Sequence, residues 1–136
     1  MKIKLSDSHK LEIVVLSRGA ADYIYDYNLQ ITLSSSDFTF AHEVWVDGSE
    51  VQEFIKNIES LKSTLKGEAN LTSESPDELE LRIRPVDTLG HFVLKIELGN
   101  QFMLGNEWYW SKYIDAFPLE AASLELVCEE IIESLV

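Results

Sequence analysis

The chain has 136 residues, 46% of them hydrophobic, and its 24 acidic residues outnumber its 11 basic residues to give a formal charge of −13. This length and composition predict one globular domain and exclude a disordered chain. The negative charge disfavours direct binding to nucleic acids or anionic membranes, because both are bound largely through Lys and Arg.

The same acidity leaves two interpretations open. It can attract a basic protein partner, or it can simply keep the protein soluble. Cys128 is the one cysteine, which excludes an internal disulfide and a zinc site built from cysteines of one chain. The first residues lack the apolar core of a signal peptide, and no apolar run of about 18 residues could span a bilayer. We therefore expect a soluble cytoplasmic protein without a cofactor.

Antiparallel strands are predicted for the N-terminal part of the chain. Leu11, Ile13 and Val15 alternate with Glu12, as in a half-buried strand, and a polar turn around residues 6–9 precedes them. Three tyrosines at positions 23, 25 and 27 also alternate as strand residues do. The predicted strands cover residues 3–5, 11–16, 27–33 and 38–46.

A central helix is predicted to follow, over residues of about 49–66. Ser49 to Gln52 has the sequence of a capping box, in which both side chains satisfy free backbone donors. Gly67 stands where a left-handed C-terminal residue is favoured. The apolar stripe has spacings of three and four and consists of Val51, Phe54, Ile55, Ile58, Leu61 and Leu65.

The second half repeats the order of strands and then a helix. Strands are predicted over residues 69–72, 79–84 and 92–98, and Gly99-Asn100 is predicted to turn the chain. Residues 102–110 then continue the meander with an irregularity near Gly105-Asn106. A C-terminal helix is predicted over about 118–135, with Pro118 in its first turn.

This order of elements indicates an α+β fold. Alternating, half-buried strands joined by turns of hairpin length favour antiparallel pairing over a parallel doubly wound sheet. We therefore predict an antiparallel, strongly bent sheet or meander with the central helix (about 49–66) and the C-terminal helix (about 118–135).

No residue pattern in the sequence indicates a catalytic reaction. His9, His42 and His91 are not at metal-ligand spacing from one another, and no nucleotide-binding, calcium-binding or hydrolase motif is present. Cys128 lies on the apolar stripe of the last helix and precedes two glutamates, which is typical of a buried thiol and not of a nucleophile. We predict no catalytic residue and no metal site. A small-ligand-binding or hydrolytic domain using His42 or His91 remains an alternative.

The aromatic segment Trp108, Tyr109 and Trp110 is the strongest candidate for a binding surface. On a strand, the two tryptophans share one face and Tyr109 takes the other, so one face can be partly exposed. Exposed Trp and Tyr are typical anchors of protein interfaces, although they can also cover a sheet edge or pack against a helix. Trp45, which alternates with the apolar residues Val44 and Val46, can likewise be either a binding anchor or a structural residue.

The succession of elements carries a family resemblance from about Leu11 to the end of the chain. A long strand, Phe38 to Val46, enters the helix, and the step Gly67-Glu68-Ala69-Asn70-Leu71 follows it. A hairpin through Leu89-Gly90-His91 and a helix after Phe117-Pro118-Leu119 complete the pattern. This succession resembles small bacterial proteins of the WapI-type immunity group associated with polymorphic toxin systems. Its residues are structural and transfer no catalytic motif.

The resemblance implies an immunity protein that binds a cognate toxin domain and blocks its active site by occupancy. Such toxins are often basic nucleases, which would fit a partner for an acidic chain. We expect the contact on the aromatic set Trp108, Tyr109 and Trp110 or on the acidic set Glu129, Glu130 and Glu133, and the pattern does not choose between them. A generic adaptor or a homo-oligomer built through the aromatic segment is the alternative.

Overall fold

The computed structural model describes residues 2–4, 8–18 and 26–136. This part of the chain contains strands followed by a helix, and then strands followed by a second helix, so the α+β prediction is confirmed. In chain order the elements are β1 (Lys2–Lys4), β2 (Lys10–Ser17), β3 (Tyr27–Ser35), β4 (Phe38–Val46), α1 (Gly48–Thr64), β5 (Ala69–Thr72), β6 (Leu79–Pro85), β7 (His91–Leu104), β8 (Glu107–Glu120) and α2 (Ala121–Leu135). The tyrosines at positions 23 and 25, and the turn residues at 6 and 7, lie outside the described residues.

The strands form two antiparallel sheets, with the orders β1-β2-β3-β4 and β5-β6-β7-β8. Each sheet is a meander, because strands that follow one another in the chain also lie side by side. The predicted meander is therefore present twice. The alternating sequence explains the pairing, since apolar residues such as Leu29, Ile31 and Leu33 all face the interior while the residues between them face outward.

Both sheets and both helices contribute to one hydrophobic core. Helix α1 contacts β5 and α2, and α2 contacts β2 and the end of β8. A fully buried Leu, Ile or Phe side chain stabilises the fold by about 1.5–3 kcal/mol relative to an exposed one. The helix residues buried in this core are Val51, Phe54, Ile58 and Leu61 of α1 and Leu124, Val127, Cys128, Ile131 and Leu135 of α2.

The ends of α1 differ from the prediction. Asp47 is the N-cap, because its Oδ1 accepts hydrogen bonds from the backbone N–H of Ser49 at 2.8 Å and from the Ser49 hydroxyl at 2.6 Å. These bonds lower the pKa of the Asp47 carboxyl. The predicted capping box from Ser49 to Gln52 is wrong. At the other end, Leu65 adopts the left-handed conformation, with φ of 59°, before Gly67 does so in turn.

Helix α2 begins at Ala121, three residues later than the predicted start at 118. Pro118 instead lies in β8, opposite Val93 of β7. The physical reason is the position of β8 at the edge of its sheet, where a residue without an N–H is tolerated.

Strands β7 and β8 are longer than predicted. The turn predicted at Gly99-Asn100 is wrong, because β7 continues through both residues to Leu104. The chain reverses at Gly105-Asn106, between the paired residues Leu104 and Glu107. Gly105 has φ of +64°, as the first position of a two-residue type II′ turn requires.

The neighbouring strand β6 does not extend along β7 as far as this turn. Its pairing with β7 stops at Leu79 and Leu98, so residues 99–104 and 107–112 form a two-stranded hairpin beyond the sheet. We call this hairpin, with its turn at Gly105-Asn106, the arm.

Within the described residues, neither helix combines the length and the apolar composition that crossing a bilayer would require.

Candidate protein-binding surface

The arm has two faces, and both are apolar. Phe102 lies opposite Tyr109, and Met103 lies opposite Trp108. Side chains alternate along a strand, so the inner arm face, which continues the core-facing side of β7, carries Phe102, Leu104 and Tyr109. The outer arm face carries Met103, Trp108 and Trp110. The prediction that the two tryptophans share a face opposite Tyr109 is confirmed.

Neither face is covered. The exposed fraction of these side chains runs from 42% for Phe102 and Tyr109 to 67% for Leu104, with Trp108 at 58% and Trp110 at 43%. The sequence predicted partial exposure of one face, whereas the arm exposes both. Contiguous apolar patches of this kind usually mark interaction sites of soluble proteins.

Contacts within the arm hold its aromatic side chains in place. The rings of Phe102 and Tyr109 stack, with centroids 5.8 Å apart and planes 25° from parallel. The Tyr109 hydroxyl donates to Oε2 of Glu107 at 2.7 Å. This hydrogen bond is the main cause that raises the pKa of Tyr109.

Gly99 fixes the arm to the sheet. Its backbone N–H donates to the carbonyl of Glu78 at 2.9 Å. A Cβ atom at this position would lie 2.4 Å from the backbone oxygen of Asp77 and 3.2 Å from the indole ring of Trp110. Only glycine permits this close approach, and the Trp110 ring therefore lies directly over the backbone at the base of the arm.

The base of the arm carries both acidic and basic residues. The residues that line a cavity of about 270 Å³ beside it include Asp77, Glu80, Glu97 and Lys112. Glu80 lies opposite Glu97 on the neighbouring strand. Two like charges directly opposite one another repel.

Ion pairs along the strands reduce that repulsion. Nη2 of Arg82 lies 3.2 Å from Oε1 of Glu80, and Nζ of Lys95 lies 3.9 Å from Oε1 of Glu97. Arg82 and Arg84, two residues apart on one strand, are compatible either with an anion clamp or with a salt-bridged sheet surface. The observed pairing of Arg82 favours the salt-bridged surface.

Comparison with known families gives the context for this surface. A family model described as the immunity protein WapI-like family matches residues 2–135, nearly the whole chain. The chain belongs to the WapI-like immunity protein family. The resemblance inferred from the sequence is thus confirmed. Comparisons with curated proteins and with solved structures find no significant match.

In this WapI-like protein, the acidic candidates lie on α2. Glu129 and Glu133 are exposed and Glu130 is half-buried. Among the described residues, none of the three takes part in an ion pair. Helix α2 follows β8 at Glu120, whereas the aromatic residues lie at the opposite end of that strand. The fold therefore groups the aromatic candidates in the arm and attaches the glutamates to the far end of β8.

The histidines of this WapI-like protein contact three different carboxylates. His9 Nε2 lies 3.8 Å from Oδ2 of Asp115, and His42 Nε2 lies 4.0 Å from Oε1 of Glu78. Nδ1 of His91 is 2.7 Å from Oδ2 of Asp87 in the loop between β6 and β7. The Asp87 carboxylate raises the pKa of His91, and its hydrogen bonds with His91 and Leu89 lower the pKa of Asp87.

Cys128 is fully buried in the core. Burial raises the pKa of its thiol to about 11. The prediction that this cysteine packs as a small hydrophobic residue of α2 is confirmed, since a thiol that stays protonated is a poor nucleophile.

One acidic cluster was not found from the sequence. The carboxylates of Asp26, Asp47 and Glu74 have oxygen atoms within 4.8 Å of one another, and all three side chains are exposed. They come from separate parts of the chain, so no local spacing could reveal them. Exposed acidic groups are common on a protein of this charge, and we assign no metal to this cluster.

Proposed function

We propose that the chain is an immunity protein that binds a cognate toxin domain and neutralises it by covering its active site, without catalysis of its own. Membership of the WapI-like immunity protein family supports a toxin-neutralising binding role. The observation that carries the proposal is the arm, which holds large aromatic side chains in solvent on a chain of this family.

The proposed anchors are Trp108, Tyr109 and Trp110. Tryptophan and tyrosine dominate the energetics of many interfaces because each buries a large area with few rotatable bonds. Both tryptophans expose a large fraction of their surface, and Tyr109 is held by its hydrogen bond with Glu107. The Trp110 ring lies over Gly99, so Tyr109 and Trp110 are both held before a partner arrives, which reduces the entropy cost of binding.

The proposed partner is basic. With a net charge of −13, the chain attracts cationic proteins over a distance of about one Debye length. We assign Glu129, Glu130 and Glu133 to this steering and not to the centre of the contact, because exposed charges at a rim act mainly on the association rate. A basic nuclease domain has the matching charge.

The first test uses the protein encoded by the neighbouring gene. Its toxin activity is titrated with the purified chain, and association and dissociation rates are measured at low and high salt. We expect a stoichiometric complex, loss of toxin activity, and an association rate that falls as salt rises. A complex that leaves the toxin active, or no complex at either salt concentration, would overturn the proposal.

Substitutions then test the anchors against a matched control. We expect the double variant Trp108→Ala, Trp110→Ala to weaken affinity by at least 100-fold, since interface tryptophans commonly contribute about 2 kcal/mol or more each. Trp45→Ala is the control, because Trp45 has a similar exposed fraction, 48%, but lies on the outer side of β4. Equal losses of binding affinity for the arm variant and the Trp45→Ala control would contradict the assignment of the anchors.

The glutamates are tested separately. We expect Glu129→Gln with Glu133→Gln to slow association at low salt and to leave the dissociation rate unchanged. A faster dissociation would place these glutamates inside the contact.

A further inference from the structure

We infer that the arm enters a cleft of its partner and is covered on both faces, instead of lying on a flat surface. This inference rests on the proposed function and specifies the kind of toxin surface that the chain recognises. The recognised surface has apolar walls and belongs to a basic partner.

The two-sided distribution of apolar side chains carries the argument. A flat partner would cover either Met103, Trp108 and Trp110 or Phe102, Leu104 and Tyr109, and it would leave the other set in water. Leu104 on the inner arm face is 67% exposed and Trp108 on the outer arm face is 58% exposed. Only a partner with two walls removes both sets from water, so a cleft uses the full apolar area of the arm.

The dimensions of the arm define the cleft. Residues 99–104 and 107–112 extend beyond the sheet, and six residues of a strand span about 20 Å. A layer that packs on a sheet face lies about 10 Å from it, so walls on the two sides of the arm would be about 20 Å apart, backbone to backbone. The two-residue turn at Gly105-Asn106 gives the arm a narrow tip, which suits entry into a groove.

The net charge of the chain defines the charge of the partner. The side chains beside the base of the arm are already paired in part, since Glu80 lies next to Arg82 and Glu97 next to Lys95. The overall charge of −13 is therefore what selects the partner. A second copy of this chain would bring another charge of −13 to the contact, so charge complementarity favours a basic partner over self-association.

A thiol footprint tests the inference directly. Cys128 is fully buried, so a cysteine introduced on the surface is the site at which a thiol reagent reacts quickly. Met103→Cys places a thiol on the outer arm face and Leu104→Cys places one on the inner arm face, at neighbouring positions of one strand. Leu126→Cys is the matched control, because Leu126 is 63% exposed on α2. Labelling rates are measured for each variant, alone and with the protein of the neighbouring gene in excess.

We expect the complex to slow labelling at positions 103 and 104 by at least tenfold each and to leave position 126 unchanged. A complex that protects only one of the two arm positions would overturn the cleft while leaving the proposed function intact. A concentration-dependent doubling of mass that protects both positions without the partner would assign the arm to a second copy. No complex would overturn the proposed function and this inference together.

Discussion

Replacing Gly99 by alanine tests how the arm is joined to the sheet. The added Cβ would lie 2.4 Å from the backbone oxygen of Asp77, whereas ordinary contact begins at 3.4 Å. Because a backbone carbonyl cannot rotate away, the two chain segments would have to separate by about 1 Å, and overpacking of this kind typically costs about 1–3 kcal/mol. The separation would also stretch the 2.9 Å hydrogen bond from Gly99 to Glu78, which is worth about 0.5–1.5 kcal/mol. We expect Gly99→Ala to lower the free energy of unfolding by about 2–4 kcal/mol.

Urea denaturation followed by tryptophan fluorescence measures this loss, and Gly105→Ala provides the comparison. A Cβ at Gly105 meets nothing within 4 Å, but its φ of +64° strains any L-residue. That strain costs about 1–3 kcal/mol. The substitution at Gly99 should therefore be the more damaging of the two. If Gly99→Ala unfolds at the wild-type urea concentration, the close approach to Asp77 does not hold the arm.

Two further predictions concern titratable groups. Because burial raises the pKa of the Cys128 thiol to about 11, we expect a disulfide reagent at pH 8 to react with the native protein at least 100 times more slowly than with the urea-unfolded chain. Because Asp87 raises the pKa of His91, their pairing should stabilise the fold fully below the unfolded histidine pKa of about 6.5 and should lose this effect as the pH rises through the higher folded value. The difference in urea midpoint between wild type and His91→Gln should thus shrink between pH 5.5 and pH 9, and a constant difference would contradict this linkage.

The strands could be predicted because their pattern is local. Residues 69–72 were predicted as a strand and form β5 with the same bounds, and the alternation from Phe38 to Val46 predicted β4. Because the pleat directs successive side chains to opposite faces, a half-buried strand shows an alternation of apolar and polar residues in its sequence.

The turn of the arm could not be located in this way. Gly99-Asn100 and Gly105-Asn106 are the same dipeptide, and both have the composition of a tight turn. What distinguishes them is the packing of Gly99 against Asp77, from another part of the chain. A tertiary contact therefore decided between two positions that look alike locally.

The predicted start of α2 was wrong for a related reason. Proline is favoured in the first turn of a helix and is also tolerated on an edge strand, so Pro118 alone does not distinguish α2 from β8. Its place opposite Val93, on the outermost strand, depends on the order of strands in the sheet.

The candidate site was predictable in composition and not in shape. The sequence identified Trp108, Tyr109 and Trp110 as candidate anchors, and their alternation correctly separated the two faces. It did not predict that both faces are exposed. That exposure follows from the length of the hairpin, which extends past Leu98, the last residue of β7 in the hydrophobic core, and no residue of the arm itself indicates where the core ends.

The meander order of the two sheets has a consequence for folding kinetics. Every strand pairing joins consecutive segments, so the loops that must close are short and cost little chain entropy. The packing of α2 on β2 is different, since the hydrogen bond from Arg18 to the carbonyl of Val136 joins positions 118 residues apart. The hairpins should therefore form first, and α2 should return to the first sheet late, after the rate-limiting transition state. Substitutions at that contact should change the rate of folding less than the rate of unfolding.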